Sequence, residues 1–153
     1  MKSLLIYFLL GYIQLYANGR YFDSKTVHWS ESNFNKISQE IVSSILSSTT
    51  IDFSKKNICS FKKIKNSTYD HIDMQNFKNI IIKRLQKSGR FGFENSADKI
   101  FYGELSSSYQ TNFTKKDMFF KFVLNLLDIQ SGEIIWSDTV EIRKIHQKKL
   151  FGW

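Results

Sequence analysis

The sequence predicts an α+β domain, an antiparallel-rich sheet with flanking helices. Two stretches carry apolar residues at helical spacing, three long stretches near the C-terminus alternate with period two, and short polar connections join those three. The 153 residues suit a single domain, and an apolar content of 42% suffices for one core. That content excludes a disordered chain, and a lone cysteine, Cys59, excludes a disulfide scaffold.

The first helix is read from Phe34, Ile37, Ile41 and Ile45, with Val42 and Leu46 widening the stripe. Ser30 or Ser32 caps its start, and the run Ser47-Ser48-Thr49-Thr50 ends it. Ile58–Lys65 reads as a strand and 66–71 as a polar loop. In the second helix Asp73 is the N-cap, Phe77, Ile80, Ile81 and Leu85 line one face, and Gly89 stands where a left-handed C-terminal residue belongs. Arg90–Phe93 is a short strand. Lys99–Tyr109 places Phe101, Leu105 and Tyr109 on one face, and Phe119–Ile129 does the same for Phe120, Phe122, Leu124 and Leu126. A turn at Gln130-Ser131-Gly132-Glu133 leads into Ile134–Ile145, with Trp136, Val140 and Ile142 on one face and Asp138 interrupting it.

The N-terminus reads as an address. Lys2, an apolar run from Leu4 to Ile13 and the small residue Ala17 form a signal peptide over 1–17, cleaved after Ala17, which leaves 18–153 as the domain. The uncharged stretch is shorter than the roughly 20 residues of a membrane helix. No cysteine lies near the cleavage site, so no lipid anchor is expected there. The formal charge is +8, and lysines 55, 56, 62, 63 and 65 cluster, as do Arg143, Lys144, Lys148 and Lys149. Such patches favour anionic partners, or simply keep an exported protein soluble. Export and the lack of an aromatic-interleaved RNA motif argue against nucleic acid.

Lys65-Asn66-Ser67-Thr68 with His71-Ile72-Asp73, Gln86-Lys87-Ser88-Gly89-Arg90-Phe91, Tyr102-Gly103-Glu104-Leu105, Ser131-Gly132-Glu133-Ile134-Ile135-Trp136-Ser137-Asp138 and the tail Leu150-Phe151-Gly152-Trp153 together resemble the LpoB family. These are outer-membrane lipoproteins that activate a bifunctional penicillin-binding protein. The resemblance runs from about Trp29 to the last residue. It implies a TolB-N-terminal-like α/β fold, a periplasmic location, and a protein-binding module, not an enzyme, that docks on the synthase and stimulates glycan polymerisation and cross-linking. The chain departs from the pattern by lacking the lipid-modified cysteine, the Pro-rich linker, and a segment with helical content between the equivalents of Phe93 and Ile100. With that segment gone, a partner or self-association is expected to cover part of the sheet.

The candidate partner contacts are Lys65, Asn66, Thr68, His71, Asp73 and Arg90, together with Phe151 and Trp153 of the tail. Loop residues held between a strand and a helix are favoured binding positions, although Asn66, Thr68 and Asp73 can equally bond their own backbone and shape the turn. No catalytic, cofactor or metal site is expected. His28, His71 and His146 lie far apart in sequence, Cys59 packs as a small apolar residue, and Glu104, Asp128, Glu133 and Asp138 show no spacing that would pair carboxylates for acid–base work. Two other readings stand beside the leading one: an envelope or appendage assembly part of the same fold, and a small exported wall hydrolase dependent on Cys59, His71 or Glu104.

Overall fold

The computed structural model describes residues 20–23 and 28–147. The proposed signal peptide and the tail residues Phe151 and Trp153 lie outside them. The elements follow in the order β1 (Arg20–Asp23), α1 (Glu31–Leu46), β2 (Asn57–Phe61), β3 (Lys65–Ser67), α2 (Met74–Lys87), β4 (Phe91–Phe93), β5 (Lys99–Thr111), β6 (Lys115–Asp128) and β7 (Ile134–Gln147). They fall into two compact units. The larger holds Trp29–Ser107 and Lys121–Val140; the smaller, among the described residues, holds 20–23, 28, 108–120 and 141–147.

In the larger unit both helices form as their patterns predict. At the start of α1 the backbone N–H of Ser30 donates to Asn33 Oδ1 at 3.0 Å, which occupies a donor that the helix itself cannot use. The α2 N-cap, Asp73, accepts from the N–H of Asn76 at 2.9 Å. Gly89 then takes φ +75°, the left-handed turn that only a glycine adopts cheaply, and its N–H closes on Gln86 O at 3.0 Å. Phe34, Ile37, Ile41 and Ile45 of α1 and Phe77, Ile81 and Leu85 of α2 are buried; Ile80 is only half-buried. Against them lie Phe101, Leu105, Phe122, Leu124 and Leu126 of the sheet, with the rings of Phe77 and Phe122 4.8 Å apart and those of Phe34 and Phe77 5.1 Å apart. Fully burying such a side chain stabilises by roughly 1.5–3 kcal/mol, so this layer of rings and aliphatic side chains holds the unit together.

The sheet of this unit runs β7–β6–β5–β2–β4, with β3 beside β5. Tight turns join β5 to β6 and β6 to β7, a connection only antiparallel neighbours permit; Gly132 (φ +73°) makes the second turn. The short strands are parallel: β2 with β4, β2 with β5, and β3 with β5. β4 ends opposite Cys59 and β5 begins opposite Cys59. The chain therefore moves sideways past β2 without turning back, and residues 94–98 suffice where a parallel crossover normally needs a dozen or more. This is where the LpoB pattern led us to expect a missing segment. Gly103 allows the close packing beside it: a Cβ there would stand 2.6 Å from Val123 O and 3.1 Å from Leu124 Cδ1.

Two expectations are corrected. The strand expected over Ile58–Lys65 is two strands, because Phe61 pairs with Phe101 but Lys65 pairs with Glu104, so residues 62–64 stand against only two partners. The extra residue is a β-bulge, which bends the strand and re-aims its side chains. As a result the strand β3 takes the first part of the expected loop. Tyr109, expected on the buried face with Phe101 and Leu105, is 55% exposed, because the core ends before the strand does.

In the smaller unit β1 pairs in parallel with the end of β7, Arg20 opposite Ile142, and the order is β1–β7–β6–β5. The sequence reading had no strand at 20–23. Met118, Phe120 and Ile142 are buried here. So is Lys144, whose ammonium donates to the carbonyl of His28. Asp117 is 4% exposed and bound by Arg143 Nη2 at 2.7 Å and Lys115 Nζ at 3.3 Å. Burial alone would raise its carboxyl, but the two cations outweigh burial and hold it below the usual carboxylate range. No helix among the described residues is long and apolar enough to cross a membrane.

Candidate functional site

The site grows out of the bulge. Regular alternation would turn every second side chain inward, yet Lys62 and Lys63 are both exposed, Ile64 is buried, and Lys65–Ser67 are exposed again. Beyond β3 the chain ties itself into a turn. Asn66 Oδ1 accepts from the N–H of Thr68 at 3.0 Å and from its hydroxyl at 2.7 Å, while Asn66 Nδ2 donates to Asp70 O at 3.1 Å. The Thr68 hydroxyl oxygen in turn accepts from the Asp70 N–H at 3.2 Å. Longer-range bonds hold the turn in place: the Tyr69 N–H donates to Ser107 Oγ at 3.2 Å, and Asp70 Oδ2 accepts from the Trp29 N–H at 2.6 Å. Ile72 is buried and Asp73 caps α2, so the segment leaves the turn already anchored.

Two open grooves flank this segment. One, of about 860 Å³, is lined by Lys63, Lys65, Asn66, His71, Asp73 and Gln75 among others. The other, of about 530 Å³, lies over the sheet between Lys62, Lys63, Lys65 and Lys121, with Tyr102, Glu104 and Asn125 also in its wall. Glu104 is the one acid in that wall. Hydrogen bonds from Ser67 and from Lys65, the latter at 3.1 Å, hold its carboxyl below the usual range, so it stays ionised and offsets a single lysine. Both grooves are therefore suited to anionic or hydrogen-bonding surfaces. The residues over this part of the sheet are a polar mixture.

The structure brings together Lys65, Asn66, His71 and Asp73, with Thr68 locked behind them in the turn. It does not bring Arg90 to them. Asp73 starts α2 and Arg90 follows its end, roughly 20 Å away along a 14-residue helix. There the Arg90 guanidinium lies over the Phe53 ring, 4.9 Å from its centre. Tyr69, 73% exposed at the head of the turn, and the groove lysines Lys63 and Lys121 are residues that sequence reasoning did not select. The doubled lysine inside an otherwise alternating strand was the available signal.

Two residues of the hydrolase reading, Cys59 and Glu104, stand apart. Cys59 is buried and paired in register with Lys99, whereas Glu104 lies five residues further along β5, roughly 16 Å away. Burial pushes the Cys59 thiol up to about 12, the reverse of what a nucleophile requires. Among the described residues no three of His, Cys, Asp and Glu are placed to hold a metal ion.

The model of the peptidoglycan-synthase activator LpoB family matches residues 33–99 and 92–142 of the chain. Among solved structures, the LpoB C-terminal domains from Salmonella enterica and Escherichia coli each superpose with a TM-score of 0.54 at 16% identity, covering 71% of this chain and 96% of theirs. At that identity the likeness shows the fold. No curated protein matches the chain in sequence.

Proposed function

The chain belongs to the LpoB family of peptidoglycan-synthase activators, and from that premise we propose that it is a periplasmic regulator that binds and activates a bifunctional penicillin-binding protein. The observation that carries this reading is the pre-formed groove at the junction of β3 and α2, whose lining includes Lys65, Asn66, His71 and Asp73. Its turn is fixed by its own hydrogen bonds and by two long-range ones, so a partner loses little to ordering when it docks there. Tyr69 supplies an aromatic anchor of the kind enriched at binding hot spots. The protein acts without chemistry of its own. It shifts the synthase towards its active conformation by binding that conformation more tightly than the idle one. Export by the leader at 1–17 places it in the compartment where the synthase works.

The test is capture by the tagged chain from a cross-linked envelope, followed by a glycan polymerisation assay with the captured synthase. A bifunctional penicillin-binding protein is expected in the captured material, with a polymerisation rate that rises on adding the chain. Lys65→Glu is expected to weaken both by about tenfold. Capture of no synthase, or a rate indifferent to the chain, overturns the reading.

A further inference from the structure

The turn between β5 and β6 presents something the docking groove does not use. Phe113 is 91% exposed, while every other described phenylalanine whose burial is known is buried or half-buried. Residues 108–114 are all exposed, and Tyr109 among them is 55% exposed. No acidic residue occurs between Glu104 and Asp117, whereas Lys115 and Lys116 follow the turn directly. Asp117 itself is buried and bound by Arg143 and Lys115.

The turn also makes hydrogen bonds of its own. Asn112 Oδ1 accepts from the Thr114 N–H at 3.0 Å, the Thr114 hydroxyl at 3.1 Å and the Lys115 N–H at 2.8 Å. The Asn112 N–H donates to Lys115 O at 3.0 Å. Polar backbone is what makes a loop costly to take out of water. Here much of that cost is already met inside the turn, and an apolar ring stands at its head with cations behind it. An aromatic tip over a basic collar, where the one acid, Asp117, is buried and outnumbered by Arg143, Lys115 and Lys116, is the chemistry that seats a surface element in the interfacial layer of an anionic bilayer.

We propose that the β5–β6 hairpin tip is a membrane-contacting finger that places Phe113 in the interfacial layer of an anionic lipid surface, with Lys115 and Lys116 against the headgroups. The finger shares no residue with the synthase-binding groove and holds the protein at a membrane surface.

The test is flotation of the full chain with vesicles of mixed phosphatidylglycerol and phosphatidylcholine, compared with phosphatidylcholine alone. Binding is expected only with the anionic lipid and is expected to fall as salt is added. Phe113→Ser is expected to weaken partition about tenfold, and Lys116→Gln about fivefold. Both positions are exposed, so both variants keep the native fold by circular dichroism. Placing an emitter at the tip with Phe113→Trp is expected to add quenching by lipids brominated near the headgroup. Loss of vesicle binding in Phe113→Ser with synthase capture intact supports the finger. Equal partition of Phe113→Ser and the unaltered chain, or loss of synthase capture with vesicle binding unchanged, overturns it.

Discussion

The chain builds the same turn twice. Asn66-Ser67-Thr68 and Asn112-Phe113-Thr114 each fold so that the asparagine amide oxygen accepts both the backbone N–H and the hydroxyl of the threonine two residues on. Each turn sets an aromatic residue in water, Tyr69 after the first and Phe113 within the second. Their supports differ. The first is bound from outside, through Ser107 and Trp29, and hands the chain to a capped helix. The second is bound through Lys115 to its own hairpin, just below whose tip Asp117 holds Arg143. One turn is a corner of a larger frame and the other is an end. The comparison teaches that turn chemistry sets local shape, while its attachments decide what a substitution costs and what the aromatic residue can serve.

If the hairpin is held just below its tip, Asp117→Ala should have the largest effect of any change considered, a loss of about 3 kcal/mol by urea denaturation, since it strands a partly buried guanidinium. The pH dependence has a definite sign. A carboxyl held below its ordinary value contributes stability that is present above about pH 4 and is lost as pH falls through the lower, folded-state value. Asp117→Asn should flatten that acid limb; an unchanged limb would mean that the hairpin is not held there.

If the first turn is a corner, Asn66→Ala should cost about 2 kcal/mol, because it removes three hydrogen bonds that position the approach to α2. The same variant should weaken synthase binding. Asp73→Ala, which removes only the helix cap, should cost about 1 kcal/mol. Asn112→Ala should cost least, about 0.5 kcal/mol, and should speed amide exchange only around Thr114 and Lys115. A loss at Asn112 as large as that at Asn66 would abolish the distinction between corner and end.

The helices and their caps were legible because each is written locally: the stripes Phe34–Ile45 and Phe77–Leu85 follow the helical period, and Asp73 and Gly89 act within a turn of themselves. The long strands were legible for the same reason. What could not be read depends on partners distant in the chain. The bulge at 62–64 exists because β5 is matched by two stretches one residue out of step, and β1 exists because β7 offers an edge. Tyr109 keeps the alternation of Phe101 and Leu105 but outruns the layer that would bury it. Half of the proposed docking segment was visible as turn and cap chemistry. Lys63 showed only as half of a doubled lysine, and Tyr69 and Lys121 not at all, since exposure at a groove follows from how strands bend. Arg90 shared a sequence motif with the site's resemblance but sits at the wrong end of α2.

The chain's single thiol, Cys59, lies sealed under the sheet with its proton held tightly. Shut away from solvent, it neither cross-links nor needs protection, so long as the larger unit stays closed. It is also a built-in clock: an alkylating reagent can reach the sulfur only during an opening, so the labelling rate in the native buffer counts those openings one molecule at a time.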